Sequence, residues 1–157
     1  MPCAVSRAVR TIRAPRARVY QAFVTPEDLA AWLPPEDMTG VIHDFDLRPG
    51  GGFTMSLFYP EEAAANPGKT AAHEDRVRLR FVELAPPERI VKIATFVADD
   101  PAFAGEMRIS VTFVERDGAT EVTMLFEDLP PGVPPEDNNL GARQSLAKLA
   151  RRLEARP

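Results

Sequence analysis

The sequence contains very little cysteine, since Cys3 is the one thiol among 157 residues. A single cysteine cannot form an internal disulfide, so the fold has to be stable without a disulfide cross-link. Cys3 also lies beside the start of the chain, away from any histidine and aspartate pair that would activate a thiol. We therefore predict neither a structural disulfide nor cysteine-based catalysis.

The sequence also lacks an excess of basic residues and any long apolar run. It has 19 Lys and Arg against 23 Asp and Glu, which gives a formal net charge of -4 and a pI near 5.3. Nucleic acids and anionic membrane surfaces call for clustered basic residues, so neither is expected as a partner. No apolar stretch reaches the ~18 residues of a membrane span, and the N-terminus lacks the apolar region of a signal peptide, which predicts a cytoplasmic protein.

What the sequence does contain is the composition of a globular protein, with 45% hydrophobic and 27% charged residues. A length of 157 residues is typical of one domain, so we predict that residues 1–157 form a single unit. A chain of this size buries about 68 to 70% of the surface that its unfolded form exposes. Such burial supplies a core and leaves room for a cavity inside it.

Proline is abundant, with 16 residues, and it marks the joints between structural elements. Because proline lacks an N–H and fixes its own φ, the long proline-free stretches are the candidate helices and strands. Alternation of apolar residues predicts a first strand over 4–13 and a later run of six strands. Two short helices begin near Pro15 and Pro26, and a long helix with an apolar stripe extends to Glu154.

Local signals add turns and caps to this layout. Asp117-Gly118 between alternating segments is a strong signal for a two-residue hairpin. The run Thr25-Pro26-Glu27-Asp28 predicts a helix N-cap whose two acids face the helix dipole. Because the strands are grouped rather than alternating with helices, the fold class is predicted as α+β with an antiparallel sheet. A curved sheet of six to seven strands wrapped around the C-terminal helix would cover the apolar faces of both.

Several segments then resemble a known superfamily, in the same order along the chain. They are residues 15–23, 29–33, 45–51, 81–91 and 118–123, and Gly141 before Ser145-Leu146. With them the chain resembles the helix-grip superfamily, also called SRPBCC or START-like, and within it the branch related to the activator of heat-shock protein 90 ATPase. Many relatives have Trp after the glycine of the last helix, whereas Ala142 follows Gly141 here. That end of a cavity is therefore expected to be more open or differently filled.

The resemblance implies a fold more specifically than an activity. Members of the superfamily bind lipids and other small molecules, act as cyclases or hydratases on polyketide-like substrates, take part in stress responses, or activate chaperones. The resemblance implies no family-wide catalytic signature that could be carried over to residues of this chain.

Large apolar side chains on the strand faces predicted to point inward are candidates to line a cavity. Methionine and aromatic residues suit adaptable pockets, but a closed core needs the same residue types, so the residues alone leave both interpretations open. The resemblance favours the pocket. The predicted ligand-binding residues are Trp32, His43, Phe45, Phe53, Met55, Tyr59, Phe81, Phe96, Met107, Phe113, Met124, Phe126 and Leu146.

Two members of this set are polar. His43 shares strand parity with Val41 and Phe45, so it is predicted to project into the cavity as a hydrogen-bonding group or a general base. The alternative is a structural histidine with satisfied hydrogen bonds, which is the commoner situation. Tyr59 lies at the end of its strand and is predicted to hydrogen-bond a ligand at the mouth of the pocket.

No metal ion or cofactor is predicted. His43, His73 and the nearby acids lack a ligand spacing such as His-x-x-x-His. The glycine-rich segment 48–52 lacks the Lys-Ser/Thr of a phosphate-binding loop and joins two strands, so a hairpin or a bulge is predicted there.

A basic stripe is predicted on one face of a strand, formed by Arg76, Arg78 and Arg80. Acids on neighbouring strands, such as Glu121, can pair with it, which favours a solvated sheet face. The alternative is a surface that contacts a protein partner.

Three functions from different classes follow. The first is binding of a hydrophobic or amphipathic small molecule between the sheet and the last helix. The second is a cyclase-type or hydrolase-type enzyme that uses the same cavity, with His43 or a neighbouring acid as general base. The third is a protein-interaction module that resembles the chaperone activators. A homodimer through an exposed strand edge is also compatible with an open sheet.

Overall fold

The computed structural model describes residues 4–35, 37–59 and 74–154. Within these ranges the chain forms seven strands and three α-helices. A 3₁₀ turn, Pro101–Phe103, lies between the fifth and sixth strands. In chain order the elements are β1 Val5–Ile12, α1 Arg16–Phe23, α2 Pro26–Trp32, β2 Thr39–Asp46, β3 Gly52–Phe58, β4 Glu74–Ala85, β5 Arg89–Phe96, β6 Met107–Arg116, β7 Ala119–Glu127 and α3 Pro135–Glu154.

The seven described strands form one curved antiparallel sheet in the order β1-β7-β6-β5-β4-β3-β2. The first strand therefore lies beside the last, and β2 is the other edge. Helix α3 packs against β1 and α2. The structure confirms the predicted α+β class, with its curved antiparallel sheet, two short helices after the first strand and a long C-terminal helix.

The turns follow from residues that tolerate positive φ. Asp117 and Gly118 have φ values of 54° and 81°, the geometry of a tight hairpin between β6 and β7. Gly52, at the start of β3, has φ of 154° and lies so close to β4 that a Cβ there would collide with the carbonyl oxygen of Leu79. The glycine-rich segment thus lets the β2–β3 connection lie directly on the neighbouring strand.

A β-bulge in β2 changes which side chains face inward. The register with β3 shifts between His43 and Asp46, and Asp44 within the bulge adopts φ of 53°. Before the bulge, His43 pairs with Thr54 on the outer face of the sheet. After it, Phe45 stacks on Phe53 on the inner side, with ring centroids 5.5 Å apart. His43 and Phe45 therefore lie on opposite faces, unlike the parity that the sequence predicts, because a bulge adds one residue to the alternation.

The start of α2 also differs from the prediction. Thr25 occupies the N-cap position, but its hydroxyl donates to the carbonyl of Gln21 in α1 rather than capping α2. Asp28 is buried and accepts from Arg18 Nη1 of α1 at 3.3 Å and from Arg152 Nε of α3 at 2.8 Å. The carboxylate thus joins all three described helices instead of only facing a helix dipole.

An aromatic core fills the space between the short helices and the sheet. The Phe23 ring lies 4.6 Å from that of Trp32 and 5.1 Å from that of Phe113, measured between centroids. The Trp32 indole N–H donates to the carbonyl of Ala22 at 2.9 Å, so its polar atom is satisfied while the ring stays fully buried. This cluster closes one end of the interior, and the other end is left open.

Candidate functional site

A cavity of about 320 Å³ lies between the concave face of the sheet and the first turns of α3. That volume is at the lower end of the range of small-molecule sites, roughly 300 to 1,000 Å³. Residues 132–134 and the helix residues Asn138, Gly141, Ala142 and Ser145 form one wall. The facing wall is formed by strand residues that are mainly apolar: Met55, Leu57, Asp75, Val77, Leu79, Lys92, Ala94, Phe96, Met107, Ile109, Met124 and Phe126.

Five of the predicted ligand-binding residues line this cavity: Met55, Phe96, Met107, Met124 and Phe126. They come from four different strands, and three of them are methionines. Because an unbranched thioether adapts its shape to its surroundings, these walls fit ligands of irregular outline. Gly141 and Ala142, to which the resemblance drew attention, are part of the lining as well.

Other members of the predicted set belong to the packed core around the cavity. Phe53 and Phe81 are buried and contact Phe45 in a three-ring cluster, with centroids 5.5 to 6.1 Å apart. None of these residues is part of the cavity lining, and the same holds for Trp32, Phe113 and Leu146. They support the walls and do not face the empty space.

His43 lies on the outer face of the sheet and not in the cavity. Its side chain is exposed, and Nε2 lies 3.1 Å from the Ser56 hydroxyl oxygen. Ser56 faces outward too, since it pairs with the exposed Arg76 of β4. The structure therefore places His43 outside the cavity, contrary to the prediction that it is a polar group inside it.

Tyr59 is connected to the cavity wall through a hydrogen bond to Asp75. Its hydroxyl donates to Asp75 Oδ2 at 2.7 Å, and Asp75 is a buried residue of the cavity wall. Burial and the hydrogen bond to this carboxylate raise the pKa of Tyr59. Tyr59 is thus placed beside the cavity, where it orients Asp75 and does not itself line the space.

Lys92 is a charged residue of the cavity wall that the sequence interpretation did not single out. It is one of three lysines in the chain and is only 1% exposed. Its Nζ lies 6.0 Å from the ring centroids of Phe23 and Phe53. Burial alone lowers the pKa of Lys92 to about 8, since the apolar surroundings disfavour the charged form.

The strand pattern contained a signal for this lysine. Lys92 has the same parity in β5 as Ile90, Ala94 and Phe96, all of which turn inward. Charged residues are almost never fully buried, so composition argues against this placement, whereas alternation argues for it. The alternation correctly indicates that Lys92 faces inward. β5 is the central strand of the sheet, paired with β6 on one side and with β4 on the other, so its alternation is regular.

Helix α3 is fastened beside the cavity by side chains that reach back to the end of α2. The Ser145 hydroxyl donates to the carbonyl of Leu33, and Lys148 Nζ donates to that of Pro34, each at 2.6 Å. Nearby, Asn138 Nδ2 is buried without a hydrogen-bond partner in the part of the chain that is described. The helix wall thus has fixed anchors and one unsatisfied polar atom.

The arginine stripe is on the outer face of the sheet, as predicted. Arg76, Arg78 and Arg80 are exposed and alternate with inward-facing residues of β4. Glu121 does not neighbour them, because β7 is separated from β4 by β5 and β6. One carboxylate near this stripe is that of Glu106, 3.9 Å from Arg80 Nη2. The use of this face by a protein partner stays a prediction.

A second, more open groove of about 410 Å³ lies near the N-terminus of α1. Its lining includes the charged residues Arg16, Glu83 and Arg89, and Arg89 pairs with Glu83 at 3.1 Å. A polar and solvated groove of this kind gives an apolar ligand little buried surface. The cavity beneath α3 is therefore the better candidate site.

Two further searches cover the described residues only. No three His, Cys, Asp or Glu side chains among them come together in a way that would hold a metal ion. No helix among them combines the length and the apolar character needed to cross a membrane. His73, which was considered above with His43 for a metal site, lies outside the described residues.

A curved antiparallel sheet, a long C-terminal helix across it and an apolar cavity between the two define a helix-grip protein. The chain belongs to the family of activator of Hsp90 ATPase homolog 1-like proteins, whose model matches residues 13–154. No curated protein matches the chain.

Solved structures of similar proteins have a similar fold. Protein CV1439 from Chromobacterium violaceum is 33% identical, with 96% of each chain covered and a TM-score of 0.83. A Rhodobacter sphaeroides protein is 19% identical, with 95% of this chain and 91% of that chain covered and a TM-score of 0.75. DynU16, a protein of the dynemicin biosynthetic locus, is 20% identical with a TM-score of 0.68, and the match covers 98% of this chain and 48% of DynU16. The last two similarities bear on the fold alone.

Proposed function

We propose that this protein binds an apolar or amphipathic small molecule in the cavity between the sheet and α3. The observation that carries the proposal is the cavity itself, about 320 Å³ of space with walls built mainly from methionine, leucine, valine and phenylalanine. A cavity of this size leaves those side chains without protein packing partners on one side. A ligand that fills the space supplies those contacts.

The position of the cavity supports the same proposal. The aromatic core beneath α1 closes the inner end, whereas Gly141, Ala142 and residues 132–134 border the outer end with small side chains and loop backbone. A molecule therefore enters beside the first turns of α3 and lies along the strands. Its apolar surface is removed from water, which contributes about 25 cal/mol per Å².

The enzyme alternative uses different residues from those first considered. Because His43 is on the outer face, a reaction in the cavity would depend on the ionisable residues of its wall, which among the described residues are Lys92, Asp75 and Asp137. Binding requires none of them to react, so it is the simpler function for this geometry.

The test compares a variant that fills the cavity with a matched variant on the opposite face. Ala94→Phe places a ring in the cavity, while Thr95→Phe, the next residue of β5, places the same ring on the other side of the sheet. With the neutral probe 1-decanol, we expect wild type and Thr95→Phe to show a ligand-induced rise in Tm, and Ala94→Phe to show none. Native mass spectrometry of the wild type should detect one bound molecule.

Circular dichroism on both variants verifies that they are folded. If Ala94→Phe binds decanol as well as the wild type does, the ligand does not occupy this cavity and the proposal is wrong. If decanol and a panel of other apolar compounds leave the Tm of the wild type unchanged, the protein is not a binder of such molecules.

A further inference from the structure

The buried ammonium group of Lys92 is a charge without a counterion in the described part of the chain. Its Nζ takes part in no hydrogen bond and no ion pair there, and its residue is 1% exposed. The rings of Phe23 and Phe53, both 6.0 Å away, offer only a weak cation–π attraction. A buried charge without a counterion lowers the stability of the fold, and it also attracts an anion strongly.

Lys92 lies toward the inner end of the cavity, since its Nζ is close to the ring of Phe23 in the aromatic cluster that closes that end. Lys92 pairs with Phe81 of β4 and with Ile109 of β6. Asp75 lies six residues before Phe81 on β4, roughly 20 Å away at about 3.3 Å per residue. The charged residues that face the cavity besides Lys92 are Asp75 and Asp137, and Asp75 accepts a hydrogen bond from Tyr59. The cavity is therefore cationic at its inner end and acidic toward α3.

The walls between these ends are apolar. Ala94, Phe96 and Met107 follow Lys92 toward the acidic end, while on β7 the lining residue Phe126 lies level with Lys92 and Met124 lies level with Ile90. The four residue steps from Lys92 to Phe96 span about 13 Å of extended strand. An occupant that satisfies this layout has an anionic group at one end, which pairs with Lys92, and an apolar chain that lies along the methionines.

We propose that the ligand is an alkyl carboxylate that enters with its carboxylate group first and pairs with Lys92. The inference rests on the proposed function, because it names the chemical class that the same cavity selects. It explains why a lysine occupies an inward position of a central strand, where an apolar side chain would pack without a desolvation cost. A charge-assisted hydrogen bond between ammonium and carboxylate in apolar surroundings then supplies the selectivity.

Two probes of equal chain length distinguish the contribution of the carboxylate to binding from that of the apolar chain. Decanoate and 1-decanol are titrated at pH 7, below their aggregation concentrations, into wild type, Lys92→Met and Arg78→Met. Lys92→Met keeps an unbranched side chain of similar length but removes the charge. Arg78→Met makes the same change of net charge on the exposed outer face of β4 and serves as the control.

We expect wild type and Arg78→Met to bind decanoate more tightly than decanol. Lys92→Met should bind decanoate 10-fold to 100-fold more weakly than wild type and decanol at least equally well. Lys92→Gln should behave like Lys92→Met and guards against a folding defect in either variant. The affinity of the wild type for decanoate should also fall as the pH rises above about 8, where Lys92 loses its proton, and Lys92→Met should lack this fall.

Each contrary outcome is informative. Decanoate binding of equal strength in wild type and both Lys92 variants would overturn the role of Lys92 while leaving the apolar cavity in place. Equal affinity of the wild type for decanoate and decanol would do the same. If neither compound binds the wild type, the proposed function itself fails together with this inference.

Discussion

Single residues decide which side chains reach the candidate site. Asp44, with its φ of 53°, adds one residue to the alternation of β2 and sends His43 outward while Phe45 turns inward. An aspartate in a strand is no dependable sign of a bulge, so the parity argument for His43 could not succeed from the sequence. The same argument succeeds for Met55, Phe96, Met107, Met124 and Phe126, because their alternation continues without interruption to the cavity wall.

Lys92 should make the stability of the protein depend on pH in a specific way. Its pKa of about 8 in the folded state is below the ordinary value of 10.5, so between these values the unfolded chain binds more protons than the native one. The free energy of unfolding of the wild type should therefore rise with pH over this window. Lys92→Met lacks that term and should be more stable at pH 7 by roughly 3 kcal/mol.

Urea denaturation at pH 7 and at pH 10.5 measures this difference, and the advantage of Lys92→Met should shrink toward zero at the higher pH. Arg78→Met should show no such change, since an arginine keeps its proton throughout. A constant difference between Lys92→Met and wild type across the pH range would mean that the lysine is not desolvated in the folded protein.

At the scale of elements, the helices are held together by one buried carboxylate. Asp28 lies on α2 and forms ion pairs with Arg18 of α1 and Arg152 of α3. Sequence reasoning placed the acid at the correct helix start but assigned it a local role, because partners 10 and 124 residues away leave no mark in a local pattern. The boundaries of the elements themselves were predictable, since proline excludes itself from helix and strand interiors.

Asp28→Asn should destabilise the protein by about 2 kcal/mol, the usual scale for hydrogen bonds that involve charged groups. The amide keeps the size of the side chain but leaves two arginines without their counterion. The matched control is Asp46→Asn, whose pair with Arg48 is solvent-exposed and should change stability by less than about 1 kcal/mol. Thermal unfolding of both variants at low salt makes the comparison, and equal losses would show that the buried pair does not hold the helices together.

At the scale of the whole molecule, the described strands form a curved, open sheet whose edges are β1 and β2. The grouping of the strands and the apolar stripe of the last helix were enough to predict the fold class. The empty space inside was not predictable from the residues, because a closed core and an open cavity are built from the same side chains. What distinguishes them is the curvature of the sheet and the distance at which α3 crosses it, and both are properties of the assembled chain.

The two edges of the sheet bear on the oligomeric state. Among the described strands β2 pairs only with β3, and it carries a bulge with the charged residues Asp44 and Asp46, while α3 packs against β1 at the other edge. Bulges, charges and covering helices all blunt edge-to-edge pairing. We therefore expect light scattering at micromolar concentration to give the monomer mass of 17.3 kDa. A doubled mass that Val41→Lys reduces to the monomer value would instead identify β2 as a dimer interface.

Three of the five methionines of the chain, Met55, Met107 and Met124, stand in the wall of the cavity. A thioether is open to oxidation, and the sulfoxide that forms is polar and chiral. Peroxide reaching an empty cavity would thus replace apolar contacts with S=O dipoles, whereas an occupied cavity would shield the sulfur atoms. The bound molecule would then protect these methionines from oxidation, and the ligand-free protein would be the form that is oxidised more readily.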